Sequence, residues 1–248
     1  MQTILIVGAT SSIAQACMHV WAQTGDVQRF ICIARNPEKL ALFTQDFSIR
    51  YPKVHIDNHA VAFDDLALLR LTIAQCFAQK VDQVLLAQGT MFQDESAIHL
   101  DELTTMVHVN MTSMAGLLSE IYTYMHQQGA GKIGVIGSVA GDRGRNANYL
   151  YGASKAFIAT YTEGLQHRAA LEKSAVTVSL IKPGPTQSEM TKHLIAQGKK
   201  LARVEDVAQQ IVTGMQRGKS TIYAPKIWRI IMLIIRHLPF TIFKRMNI

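Results

Sequence analysis

Tyr151 and Lys155 stand four residues apart in the stretch Tyr151-Gly152-Ala153-Ser154-Lys155. On a helix, positions i and i+4 share a face one turn apart, so a phenol and an ammonium group would meet. A neighbouring cation favours phenolate and lowers a phenol pKa that starts near ~10. A phenol tuned in this way can give a proton to a carbonyl oxygen or take one from an alcohol. With seven Tyr and thirteen Lys in the chain, such a pair arises about 0.4 times by chance, so it needs support from other residues. Ser138, thirteen residues upstream, offers a hydroxyl that could hold a carbonyl while Tyr151 protonates it. Asn110 could anchor a water linking Lys155 to solvent, or it could be a satisfied contact between helices.

The elements that must position these groups are legible as alternating apolar runs and helical stretches. Residues 3–8 (TILIVG), 30–34 (FICIA), 83–87 (QVLLA), 132–138 (KIGVIGS), 176–181 (VTVSLI) and 221–224 (TIYA) read as buried strands, with another within 54–63. Between them, residues up to 23, 37–47, 65–79, 99–127, 151–171, 188–198 and 204–217 have helical character, Pro37 lying in a first turn. The alternation predicts an α/β fold: a single doubly wound parallel sheet of about seven strands with helices on both faces, of Rossmann type. Residues 1–225 read as one domain and residues 226–248 as an amphipathic basic tail.

In such a sheet, ligands sit outside the carboxyl ends of the strands, and the first strand–turn–helix holds a dinucleotide. Here that turn carries Gly8, with Thr10, Ser11, Ser12 and Ile13 following, and Ser12 and Ala14 where further glycines are common. The second strand runs into Arg35 with no carboxylate to bind a ribose diol. Arg35 could pair with a 2′-phosphate, which favours NADP(H) while leaving NAD(H) open; as an ordinary surface residue it would be a solvated arginine. Asp64 is placed to accept from an adenine amino group; Asp65 could serve instead, or cap the next helix. Pro183-Gly184 would let backbone pack against a nicotinamide ring, with Thr186 reaching its carboxamide.

Taken together, Gly8-x3-Ser12-x-Ala14, Asp64, Asn110, Ser138, Tyr151-x3-Lys155 and Pro183-Gly184 resemble the short-chain dehydrogenase/reductases in order and spacing over about residues 3–224. The resemblance implies a nicotinamide-dependent oxidoreductase acting on ketones and secondary alcohols. It implies Tyr151 as acid/base, Lys155 lowering its pKa and binding the nicotinamide ribose, Ser138 orienting substrate, and Asn110 holding a relay water. It also implies a homodimer or homotetramer through the two long helices. Leu86-Ala87-Gln88-Gly89 departs from the family's Asn-Asn-Ala-Gly and keeps only Gly89. The loop 138–151 (SVAGDRGRNANYLY) and the later KPGPTQSEMT resemble a bacterial subgroup that includes reductases of polyprenyl-phosphate-linked 2-ketopentoses. A lipid-linked keto-sugar would find Arg143 and Arg145 near its entry as phosphate ligands; the plain alternative is a loop salt bridge from Asp142 to either arginine.

The net charge of +7 is confined to the C-terminus. Residues 1–206 balance 18 Lys/Arg against 18 Asp/Glu, whereas residues 207–248 hold seven Lys/Arg and no acid. This distribution gives nucleic-acid binding no support. Cys17, Cys32 and Cys76 lack paired or metal spacing and suit a reducing compartment, the cytoplasm. His55 and His59, before a strand, do not suggest a metal pair, and no metal is expected. The tail's apolar run 227–235 is well short of the ~20 residues that span a bilayer. Its basic anchors suit a helix lying on the cytoplasmic membrane face; packing on the domain or on a partner subunit is the alternative. A non-catalytic dinucleotide sensor is the main competitor to an enzyme, favoured by the altered glycine turn, and a membrane-surface adaptor is supported by the tail alone.

Overall fold

Apolar runs bounded by glycine and polar turns become the strands of one parallel sheet. The computed structural model describes residues 1–92 and 99–246. The strands are β1 Gln2–Val7, β2 Val27–Ala34, β3 His55–Ala60, β4 Gln83–Leu86, β5 Gly131–Ile136, β6 Val176–Pro183 and β7 Thr221–Ala224, in the order β3-β2-β1-β4-β5-β6-β7. The order reverses between β1 and β4, which opens a crevice at their carboxyl ends. Side chains alternate along each strand. Leu5 and Val7 of β1 therefore join one buried cluster, and Ile4 and Ile6 join the other on the opposite face.

Helices α1 Ser12–Gln23, α2 Pro37–Arg50 and α8 Val204–Gln216 cover one face; α3 Leu66–Cys76, α5 Ser113–Gln128 and α6 Tyr149–Leu171 cover the other. Local chemistry sets their starts. Asn36 caps α2 by accepting from the Lys39 amide at 2.8 Å, and Asp65 caps α3 by accepting from the Leu68 amide at 3.0 Å. Three expectations change. The third strand falls within 54–63, but His55 and His59 lie on it rather than before it. The helix expected over 99–127 is α4 Leu100–Val107 followed by α5, joined by a π-helical turn at His108–Thr112. The stretch 188–198 contains a 3₁₀ turn at Glu189–Thr191 and the short α7 Lys192–Ala196.

The tail forms α9 Trp228–His237 and α10 Phe240–Phe243. Its Met232 and Phe243 are buried, so it packs on the domain, and residues 247 and 248 lie outside the described residues. Among the described residues no helix is long and apolar enough to cross a membrane.

Two close backbone approaches seat α6 against the loop after β5. A methyl group at Gly141 would lie 2.6 Å from the Lys155 carbonyl carbon, and one at Gly152 would lie 2.9 Å from the Ala140 oxygen. Gly164, on the same helix, faces open space. Gly152→Ala should therefore destabilise the protein by about 1–3 kcal/mol through overpacking. Gly164→Ala should instead stabilise it by up to ~1 kcal/mol through helix propensity. Urea unfolding of the two variants measures both; equal effects would contradict this packing.

Candidate active site

Tyr151 is the third residue of α6, and Lys155 follows one turn later on the same face. The helix N-terminus places positive partial charge near the phenol. Tyr151 hydrogen-bonds with Ser138, whose oxygen also accepts from the Ala140 amide at 3.0 Å. The Lys155 ammonium lies 5.6 Å from the centre of the Tyr151 ring and donates to the Ile136 carbonyl at 3.1 Å. The structure thus brings Ser138, Tyr151 and Lys155 together at the end of β5.

The expected acidification of the phenol does not appear in the free protein. Burial pushes Tyr151 up to about 12, and the Ser138 hydrogen bond opposes this. Burial also pushes Lys155 down to about 8. Desolvation disfavours the charged form of each group.

Asn110 sits in the π turn, a helix irregularity that recurs at functional sites. It is fully buried, and its side chain clamps the loop after β4. Its oxygen accepts from the Thr90 amide at 2.8 Å, and its nitrogen donates to the Thr90 carbonyl at 2.8 Å and to Ser154 Oγ at 3.1 Å. Ser154 in turn donates to the Tyr151 carbonyl at 2.8 Å. Both amide hydrogens are therefore committed, and Asn110 links the β4 loop to the turn bearing Tyr151. A methyl group at Gly89 would lie 3.4 Å from Lys155 Nζ and 3.6 Å from Asn110 Oδ1, so both groups face this glycine. Gln88, where the family pattern differs, is buried and donates to Ser113 Oγ at 3.0 Å, tying the end of β4 to α5.

The turn after β1 is tight despite its missing glycines. Gly8 has φ +88°, and a methyl group there would lie 2.5 Å from the Gln88 amide nitrogen. Only glycine allows that turn. Ser11 precedes α1 without using its hydroxyl as a cap, and Thr10, Ser12 and Ile13 are part-exposed beside it. Ala14 is buried in the core, so the third position is filled by a packed methyl group. Arg35 is exposed at the end of β2, and Asp64 is exposed while Asp65 is engaged as the α3 cap. The Gly8 cradle and the uncapped Ser11 fit a dinucleotide.

Three assignments from sequence change. Thr186 is buried and its hydroxyl donates to the Gly184 carbonyl at 2.8 Å, so the turn closes on itself and the hydroxyl does not reach outward. Asp142 pairs with neither neighbouring arginine. It binds Lys182 Nζ at 2.6 Å and accepts from Tyr223 at 2.9 Å, with the ion-pair side chains only 2% and 6% exposed. Arg143 is directed at the tail: it donates to the carbonyls of Ile235 and, at 2.6 Å, of Leu238, and stacks over Phe243 at 3.9 Å. It satisfies carbonyls at the negative end of α9 and is not presented as a phosphate ligand. Arg145 remains: it is partly buried, burial lowers its pKa, and its Nε has no protein partner among the described residues.

Sequence reasoning missed Gly141 and Gly152, Ser154, the Asp142–Lys182–Tyr223 cluster and Trp228. The indole of Trp228 lies flush on Gly184, where a side chain would collide with it. The glycines at 141 and 152 were visible in the motif stretches, but nothing in the chain reports which surface a glycine meets.

The lowered Lys155 pKa has a definite sign. The unfolded chain, titrating near the ordinary lysine value of 10.5, holds this proton more tightly than the folded protein, which titrates at about 8. Lys155 therefore penalises folding most below pH 8, and stability rises as pH goes from 8 towards 10.5. In Lys155→Met that rise should be lost, so the variant's stability advantage over the parent should shrink across this window. Urea midpoints compared at several pH values check this; parallel pH profiles would contradict it.

A family model for short chain dehydrogenases matches residues 2–199. An uncharacterised oxidoreductase of Streptomyces coelicolor is 26% identical over 99% of this chain and 96% of its own. A sulfoacetaldehyde reductase of Chromohalobacter salexigens is 26% identical over 84% of this chain and 85% of its own. In fold, a short chain dehydrogenase from Burkholderia cenocepacia, solved in complex with NADP, superposes with a TM-score of 0.81 at 16% identity, over 99% of this chain and 98% of that one. The match over most of the sequence, together with the seven-stranded parallel sheet, establishes that the chain belongs to the short-chain dehydrogenase/reductase family of oxidoreductases.

Proposed function

We propose that this oxidoreductase is an NADP(H)-preferring carbonyl reductase, with NAD(H) as a weaker alternative. The observation that carries the reading is the convergence of Ser138, Tyr151 and Lys155 at the crevice beside the Gly8 turn. Gly8, Thr10, Ser11, Ser12 and Ile13 would hold the diphosphate, Arg35 the 2′-phosphate and Asp64 the adenine. Gly89, Pro183 and Gly184 would give backbone room to the nicotinamide end, and Lys155 would bind its ribose. The NADP named with the Burkholderia structure supports the same preference.

When bound, the nicotinamide supplies the hydride. The remaining chemistry belongs to the chain. The Ser138 hydroxyl holds the substrate oxygen, and Tyr151 donates its phenolic proton to that oxygen. At neutral pH, below the Lys155 pKa of about 8, Lys155 carries its charge and stabilises the phenolate left on Tyr151. Asn110 positions this pair through Ser154, and its remaining acceptor capacity beside Lys155 suits a relay water. A sensor protein would have no use for such an acid/base arrangement.

For substrate, a lipid-linked keto-sugar is favoured by the sequence of the 138–151 loop and by Arg145, whose unpartnered Nε suits a phosphate oxygen. The tail would meet the cytoplasmic membrane face. The chain would assemble as a homodimer or homotetramer through α5 and α6.

Tyr151→Phe should lower turnover by about 10²-fold or more, while NADPH affinity changes little. The assay is NADPH and NADH oxidation across a carbonyl panel, including sulfoacetaldehyde and polyprenyl-phosphate keto-sugars, with cofactor affinity measured in parallel. Unchanged turnover would overturn the role of Tyr151, and a chain that binds neither cofactor would overturn the reading as a whole.

A further inference from the structure

The tail has two working faces. Its inner face touches both loops that border the candidate site. Trp228 lies against Gly184 in the loop after β6, and Arg143, five residues beyond Ser138, grips the carbonyl end of α9 and the Phe243 ring. The Asp142–Lys182–Tyr223 cluster ties the Ser138 loop to the carboxyl ends of β6 and β7. A displacement of α9 therefore acts on the Gly184 loop and on the Ser138 loop together.

The outer face is apolar and basic. Ile227, Ile230, Leu233, Ile234, Phe240 and Ile242 each keep more than half of their surface exposed. Lys226, Arg229, Arg236, Lys244 and Arg245 are exposed around them, and residues 207–248 contain no acid. A scattered exposed Ile needs no explanation, but this many exposed apolar side chains within residues 227–242 do. Apolar side chains ringed by cations complement an anionic lipid surface. A second copy of this tail would instead face it with the same positive charge.

We infer that α9 and α10 couple an anionic bilayer to the cofactor site: docking of the outer face holds Trp228 against Gly184 and Arg143 against the α9 terminus, and so orders the loops that receive the nicotinamide. The inference deepens the NADP(H) reading and rests on it. Coupling between two ligands is reciprocal. Vesicles should tighten NADPH binding, and NADPH should tighten vesicle binding by the same factor.

The test uses the full chain with vesicles of phosphatidylcholine alone or with phosphatidylglycerol. NADPH affinity is read from nicotinamide fluorescence, and vesicle partitioning from sedimentation. Phosphatidylglycerol vesicles should lower the NADPH dissociation constant about fivefold or more, a typical coupling. NADPH should raise vesicle partitioning equally, and phosphatidylcholine alone should do neither. Trp228→Ala should keep vesicle binding and lose the coupling, while Ile230→Ser/Ile234→Ser should lose vesicle binding itself. Vesicle binding with an unchanged NADPH constant would overturn the coupling and leave the reductase reading intact. Absence of NADPH binding under every condition would instead overturn that reading. Self-association through the tail without lipid binding would replace the bilayer with a second copy and overturn the inference.

Discussion

The close seating of α6 on the loop after β5 is the constraint on which the site depends. Tyr151 lies in the first turn of that helix and Ser138 near the start of that loop, so their hydrogen bond exists only if the two backbones meet. Gly141 and Gly152 remove the side chains that would hold them apart. The sheet then fixes where the meeting occurs, because β5 ends beside β4 at the reversal of strand order. A helix start is a convenient place for a phenol that must pass through an anionic form, since its amides oppose the growing charge.

Around this contact, the buried Asn110 and Asp142 are held by defined partners. Both amide hydrogens of Asn110 are used, on Thr90 and on Ser154, from a position in the π turn. Asp142 is satisfied by Lys182 and Tyr223; removing one member of such a buried pair typically costs about 3–5 kcal/mol. Tyr151 and Lys155 also have partners, Ser138 and the Ile136 carbonyl, yet burial shifts both. Burial destabilises the charged form of each, Lys155 losing part of its hold on a proton and Tyr151 gaining one. The free protein therefore holds the phenol protonated, which is the form a carbonyl reductase needs before it transfers a proton.

Much of this was legible in the chain. Apolar strands alternating with helices gave the doubly wound sheet, because strands buried on both faces read as continuous apolar runs and few other folds join such runs through helices. Spacing alone placed Tyr151 over Lys155, and Ser138 at a strand end. Long-range polar partners were not legible. Asp142 has two arginines beside it in sequence, yet it pairs with Lys182, forty positions away, because β6 brings a buried ammonium to it where an arginine would remain near solvent. Arg143 was placed near substrate and instead serves the end of α9, whose carbonyls no residue of α9 itself can satisfy. The direction of the Tyr151 shift was also hidden, since a motif reports a neighbouring cation and not the burial that weakens it.

The central claim is that Tyr151 is a proton donor whose acidity is set by its surroundings. It is tested most directly by the NMR titration of tyrosine ring carbons in the full chain, with Tyr151 assigned from the Tyr151→Phe spectrum. In the free protein the Tyr151 phenol should titrate well above the ordinary value of 10, towards about 12. Addition of NADP⁺ should lower it, because the bound pyridinium adds positive charge beside it. A Tyr151 that titrates at the ordinary value and ignores NADP⁺ would contradict the account.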